Sequence, residues 1–189
     1  MRPGGLTGTV KAVTRRRGAA RGITILLGWL VPFTVALLAA CGPSSTLPRR
    51  RVVEADIGGW WFRRYQHVKD VEIGIQGNPA DAHTAVYARD SAVKAATVAE
   101  SDVAVVFVTQ YKTRKGVSGA LASLMELLST DEGYKVAKKE IGGRRVMTVS
   151  QGDEAWAFWA SGRYIVKIGG RGVRKVPSGL VKRYSAIYP

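Results

Sequence analysis

The order of elements along this 189-residue chain predicts an α+β fold. The expected form is a two-layer sandwich, a mainly antiparallel sheet backed by two or three helices. Three observations carry it. Four β-rich runs in the second half are separated by glycine-containing tight turns. One apolar run, "VAVVFVTQY" (103–111), reads as a central strand. Two segments, 116–129 and 177–189, carry apolar residues at helical spacing.

Taken in order, "WWFRRYQHV" (60–68) is the densest aromatic patch. Two readings stand: a core element packed on a sheet, or a short amphipathic helix with its tryptophans at a membrane interface. "VEIGIQ" (71–76) alternates as a strand does. In "GNPADAHTAVYARD" (77–90), Asn78 suits an N-cap and Pro79 a first helical position, and Ala82, Val86 and Val93 fall on one face. That predicts a helix to about residue 90 or 99, with 93–99 open between helix and strand. "GVSGALASLMELLS" (116–129) is helical, with Leu121, Leu124, Met125 and Leu128 on one stripe. "YKVAKKEIG" (134–142) and "RRVMTVSQ" (144–151) flank Gly142-Gly143, a hairpin signal. "AWAFWAS" (155–161) and "YIVKIGG" (164–170) flank Gly162-Arg163 in the same way. The closing segment is a helix with Leu180, Val181, Tyr184 and Ile187 facing inward.

Net charge is +15 and is unevenly spread. Residues 1–40 carry six bases and no acid, residues 41–133 balance, and residues 134–189 carry twelve bases against three acids. Such a charge biases encounters toward anionic partners.

The first forty residues are organised differently from the rest. "VTRRRGAARG" (13–22) is cationic, "ITILLGWLVPFTVALLAA" (23–40) is free of charge, and a polar run follows Cys41. This is the three-part pattern of a secretory signal, with the basic part left on the cytoplasmic side. Leu38-Ala39-Ala40-Cys41 resembles the lipobox of bacterial lipoproteins. The resemblance covers roughly residues 15–42. It implies that Leu38, Ala39 and Ala40 are read by the lipoprotein signal peptidase. It also implies that Cys41, the only cysteine, carries a diacylglyceryl thioether at the new N-terminus. An uncleaved membrane helix is the alternative. Eighteen residues is near the lower limit for a span, and Pro32 would kink it. A "TRRR" run is also present, but Gly18 and Ala19 stand where a twin-arginine signal has large apolar residues. The basic part is long, which leaves Val10 or Val13 open as the true start.

The expected organisation is a signal peptide over 1–40, a lipidated cysteine and tether over 41–55, and one α+β domain over 56–189. "GPSSTLP" (42–48) has the composition of a flexible tether. Arg49, Arg50 and Arg51 follow, placed either to meet anionic headgroups or simply to be solvated. The expected location is the extracytoplasmic side of the cell membrane or outer membrane. Gly42 lacks the aspartate that, in the lipoprotein family, retains a protein in the inner membrane.

Chemistry is sparse in the remainder. His67 and His83 each have carboxylates nearby in sequence, too few for a zinc site. "GVSG" (116–119) is not a nucleophile elbow, because Gly119 comes one residue early. "GGRGVRK" (169–175) offers glycine N–H groups and three bases for an anion but lacks P-loop spacing, and a solvated loop is the plainer reading. No catalytic residue, metal or cofactor is assigned. The expected function is non-catalytic binding of an envelope protein or of an anionic lipid or polymer. A basic face of Lys135, Lys138, Lys139, Arg144, Arg145, Arg171, Arg174 and Lys175 would carry the anionic role. Nucleic acid is not expected, since the signal exports the chain and no recognition motif is present. An envelope hydrolase, or a small-molecule carrier with an apolar cavity, are the competing classes.

Overall fold

The computed structural model describes residues 47–189. The leader, Leu38 to Cys41 and the first part of the tether, to residue 46, lie outside the described residues.

Seven strands form one antiparallel sheet: β1 (Trp60–Val68), β2 (Ala80–Arg89), β3 (Val103–Tyr111), β4 (Lys135–Ile141), β5 (Arg144–Gln151), β6 (Glu154–Ser161) and β7 (Tyr164–Gly170). Their spatial order is β1-β2-β3-β7-β6-β5-β4. Three helices accompany them: α1 (Asp90–Lys94), α2 (Val117–Thr130) and α3 (Ser178–Ile187). The expected α+β class, an antiparallel sheet backed by helices, is what is observed. Two meanders, β1-β2-β3 and β4-β5-β6-β7, are joined where β3 pairs with β7. α2 leaves the end of β3 and crosses β7 and β6 to deliver the chain to β4 at the far edge.

The alternation of each strand divides the core in two. On one face Tyr87, Val106, Val108, Trp159, Val166 and Ile168 meet Leu180, Val181, Tyr184 and Ile187 of α3. Burying each such side chain contributes about 1.5–3 kcal/mol. On the other face Tyr111, Val149, Phe158 and Ile165 meet Val117, Leu121 and Met125 of α2. Both edge strands carry bases, Arg63 and Arg64 on β1 and Lys135, Lys138 and Lys139 on β4. Charged edges discourage pairing with a second chain. β1 also has a register irregularity between Phe62 and Arg64.

The chain packs from Val52 onward, since Val52 is buried and belongs to the α3-side core. The segment after it is pinned by tyrosines. The Val53 N–H donates to the Tyr184 hydroxyl at 2.9 Å, and the Tyr87 hydroxyl donates to the Val53 carbonyl. Tyr188 donates to the Arg51 carbonyl at 2.6 Å.

Two expected elements differ. Residues 80–89 form β2, not a helix. The alanine-rich run is paired along its length with β1 on one side and β3 on the other. Those ladders outweigh a weak local preference. Asn78 caps no helix: its side chain bonds the Thr113 N–H and the Thr113 and Lys115 carbonyls at 2.9–3.0 Å. Residues 71–76 alternate as expected but find no strand partner. They lie as a loop whose Ile73 and Ile75 pack on the α2-side core, with the Ile73 carbonyl accepting from Tyr111 at 2.7 Å. The aromatic patch at 60–68 is a sheet element, with Trp60 buried. Of residues 93–99, only Val93 and Lys94 are helical.

Candidate functional site: a basic cavity beside α3

The β4–β5 hairpin sets where the bases go. Its register pairs Lys139 with Val146 and Ala137 with Thr148, which places Lys135 and Lys139 on the α3 face. Lys138, paired with Met147, takes the α2 face together with Arg145. The turn needs glycine: Gly142 and Gly143 have φ of 62° and 81°. Gly142 is also a packing requirement. A Cβ there would lie 2.7 Å from the Ser178 carbonyl and the Lys182 nitrogen, so only glycine lets the hairpin tip meet the first turn of α3.

The loop after β7 then folds back. Val173 and Val176 are buried, and the intervening Arg174 and Lys175 are exposed. This brings Arg174 and Lys175 to the cavity that Lys139 lines. The cavity measures about 420 Å³ and also receives Thr148, Ser150 and Ser178, with one acid, Glu140, on its lining against the three cations. The Thr148 hydroxyl donates to the Ala137 carbonyl at 3.2 Å. Three cations with hydroxyls around a concavity of this size can hold an anionic group by charge-assisted hydrogen bonds.

The eight predicted bases therefore do not share one face. Lys139, Arg174 and Lys175 converge. Lys135 lies on the same side, nearer the start of β4. Lys138 and Arg145 face the other way. Arg144 is at the opposite end of the sheet from Arg174. Its guanidinium lies 5.7 Å from the Trp159 ring centroid, and its buried Nε has no partner among the described residues. Desolvation lowers its pKa from the usual arginine value. Arg171 is committed to Glu154 at 3.0 Å. That hydrogen bond, with a second from Trp156, holds the Glu154 carboxyl below the usual range.

Three features escaped sequence reasoning. Lys167 of β7 sits over Trp156 at 4.3 Å, with Phe107 and Phe158 each at 5.4 Å, and donates to Glu72 at 2.6 Å. Nothing local signals this, because the cage comes from β3, β6 and the 71–76 loop. The register of β1 on β2 puts His67 opposite His83, with ring centroids 5.0 Å apart. His83 Nδ1 is 3.0 Å from the Tyr65 hydroxyl, and His67 Nε2 is 3.5 Å from Asp81. Burial pushes the His83 imidazole below its ordinary value; the nearby His67 and Arg51 add to this and Asp81 opposes it. Among the described residues, no group of three or more His, Cys, Asp or Glu is placed to hold a metal ion. The third feature is an apolar cleft of about 570 Å³ between α2 and the sheet, lined by Leu121, Met125, Val136, Met147 and Ala160, with Lys138 and Glu126 also contributing. Ser118, in the first turn of α2, lines this cleft.

No helix among the described residues is long and apolar enough to cross a membrane. Comparison with family models, with curated proteins and with solved structures finds no match for this chain.

Proposed function

We propose that this chain is a lipid-anchored protein of the cell envelope whose folded domain binds an anionic envelope component without catalysis. The lipobox-like Leu38-Ala39-Ala40-Cys41 supports the anchor. The convergence of Lys139, Arg174 and Lys175 on one cavity is the observation that carries the binding role. These cations come from two separate segments of chain, so the fold gathers them. Their attraction for an anion falls as salt screens it.

The anchor is tested by the mass of the mature N-terminus from membrane fractions, for wild type and Cys41→Ser. A diacylglyceryl-modified Cys41, lost in the variant together with processing, is expected. An unmodified chain beginning near Met1 overturns it. Binding is tested with polyphosphate as a model anionic polymer. Affinity is expected to fall steeply with salt and to be lost in the Lys139→Glu, Arg174→Glu, Lys175→Glu triple variant. Salt-insensitive binding, or full binding by that variant, sinks the electrostatic reading.

The apolar cleft beside α2 favours a second reading, a carrier for a small apolar molecule. Its volume lies in the usual range for such sites, and two methionines adapt readily to a ligand. Met125→Trp and Met147→Trp, which fill the cleft, would block uptake of an apolar fluorescent probe. Unchanged uptake counts against this reading.

A further inference from the structure

From the distribution of charge along the sheet, we infer that the end of the domain where the chain enters is a docking surface for an anionic bilayer. The strands all run along one axis, so the sheet has two ends. One end holds the exits of β1 and β3, the β4–β5 and β6–β7 turns and the entry of β2. Residues 49–51 reach the same end. The Arg50 guanidinium lies 4.9 Å from the Tyr65 ring centroid, and Arg51 Nε donates to the Gln110 side chain near the end of β3.

The fold adds further bases there from distant parts of the chain. Lys112, Arg114 and Lys115 follow β3 and are all exposed. Their loop is held in place: the Lys112 N–H donates to the Pro79 carbonyl at 2.9 Å, and Asn78 binds the Thr113 and Lys115 carbonyls. Arg163, in the β6–β7 turn, is adjacent, since its carbonyl accepts from the Tyr111 N–H at 2.9 Å. Glu54 is engaged with Arg50, Glu72 with Lys167 and Asp81 lies near His67, while Asp70 and Glu140 are exposed and unpaired among the described residues, so the bases remain in excess. The other end is different. Asp90, Glu100, Asp102, Asp131, Glu132, Asp153 and Glu154 lie there against Arg89, Lys94, Lys135, Arg171, Arg174 and Lys175, and Asp90, Asp102 and Glu154 are paired with Lys94, Arg89 and Arg171. The domain is therefore polarised along its strands, basic where the chain enters and close to balance at the far end.

Arg51 stands ten positions after Cys41. Even fully extended, that stretch spans at most about 35 Å. If Cys41 carries the lipid, that leash holds the basic end nearest the bilayer. Phosphatidylglycerol or a similar anionic headgroup is the partner it fits, each base near the surface contributing about a fivefold gain in association. Lys139, Arg174 and Lys175 are not part of this surface. The inference rests on the anchor proposed above for its orientation.

The test uses the full chain reconstituted into vesicles of phosphatidylcholine alone or mixed with phosphatidylglycerol. A water-soluble amine-reactive label reports each lysine by mass spectrometry. Lys112 and Lys115 should label about tenfold more slowly in the anionic vesicles than in the neutral ones, with protection lost at high salt. Lys94, at the far end, should label equally in both. Lys69, exposed just after β1 at the same end, should be protected likewise, and the Lys112→Glu, Arg114→Glu, Lys115→Glu variant should restore its fast labelling. Equal labelling of Lys112, Lys115 and Lys94 in anionic vesicles overturns the proposal, as does a chain that fails to associate with them. The same spectra read the mass at Cys41, so failure of the anchor is seen separately from failure of the docking surface.

Discussion

The Tyr184 hydroxyl of α3 and the Val53 N–H of the entering chain are 2.9 Å apart, and this bond ties the start of the fold to its last helix. Tyr87 completes the arrangement. Its hydroxyl donates to the Val53 carbonyl, so Tyr184 must be the donor in the 2.9 Å bond between the two hydroxyls. Removing Tyr184 Oη leaves the Val53 N–H and the Tyr87 oxygen without their partner. Tyr184→Phe is expected to cost about 1–3 kcal/mol, read from urea unfolding. Tyr65→Phe, which removes a half-buried hydroxyl beside His83, should cost less than about 1 kcal/mol. Equal effects would mean that the tie at Val53 contributes little.

The same tyrosines set an alkaline limit. Burial pushes the Tyr87 and Tyr111 hydroxyls up to about 12, and raises Tyr184 and Tyr188 as well. In the unfolded chain a tyrosine ionises near 10. Between these values the unfolded chain has released more protons than the folded one, so stability falls as pH rises. The contribution is complete below about pH 10 and is drained as pH climbs through 12. Tyrosinate absorbance followed with far-ultraviolet circular dichroism should show these hydroxyls ionising only as the sheet unfolds. Full ionisation of every tyrosine near pH 10 with the sheet intact would contradict this.

Gly142 offers a steric test. Gly152 has a similar positive φ, 56°, but open space around its Cβ position. Gly152→Ala should cost about 1–2 kcal/mol from backbone strain alone. Gly142→Ala adds a clash with backbone of α3 and should cost about 3 kcal/mol or more. Thermal unfolding of the two variants separates strain from crowding, and equal costs would show that the hairpin tip can move away from the helix.

His83 should titrate below 6.5 because partial burial of its imidazole disfavours the charged form. The sign follows directly. An unfolded His83 takes up its proton at higher pH than the folded one, so its contribution is complete above about pH 6.5 and declines as pH falls below it. His67→Gln removes a charge interaction that helps lower His83 and should move the His83 midpoint upward in an imidazole NMR titration. No movement, or a downward one, would show that the stacked pair does not interact through charge.

Much of the fold was legible locally. The β4–β5 and β6–β7 hairpins follow from alternation broken at Gly142-Gly143 and Gly162-Arg163. α2 and α3 follow from apolar residues at helical spacing, and the inward set Leu180, Val181, Tyr184 and Ile187 is buried as its spacing requires. β2 was not legible. Asn78 and Pro79 read as a helix start, yet Asn78 is engaged with a loop 35 and 37 residues away. The candidate site was legible only in part. The excess of bases after residue 134 is plain in the composition, but alternation along β4 sends Lys138 to one face and Lys139 to the other.

By itself, the sequence determined the α+β class, the two C-terminal hairpins, the helices α2 and α3 and the sign of the charge. Each depends on residues a few positions apart, where periodicity and turn chemistry act directly. Tertiary structure alone decided that 80–89 pairs between two strands, that Lys139 meets Arg174 and Lys175, and that Lys112, Arg114, Lys115 and Arg163 gather where the chain enters. The physical reason is range. A ladder bond such as that from the Tyr111 N–H to the Arg163 carbonyl joins residues more than fifty positions apart, and only the completed sheet brings them together.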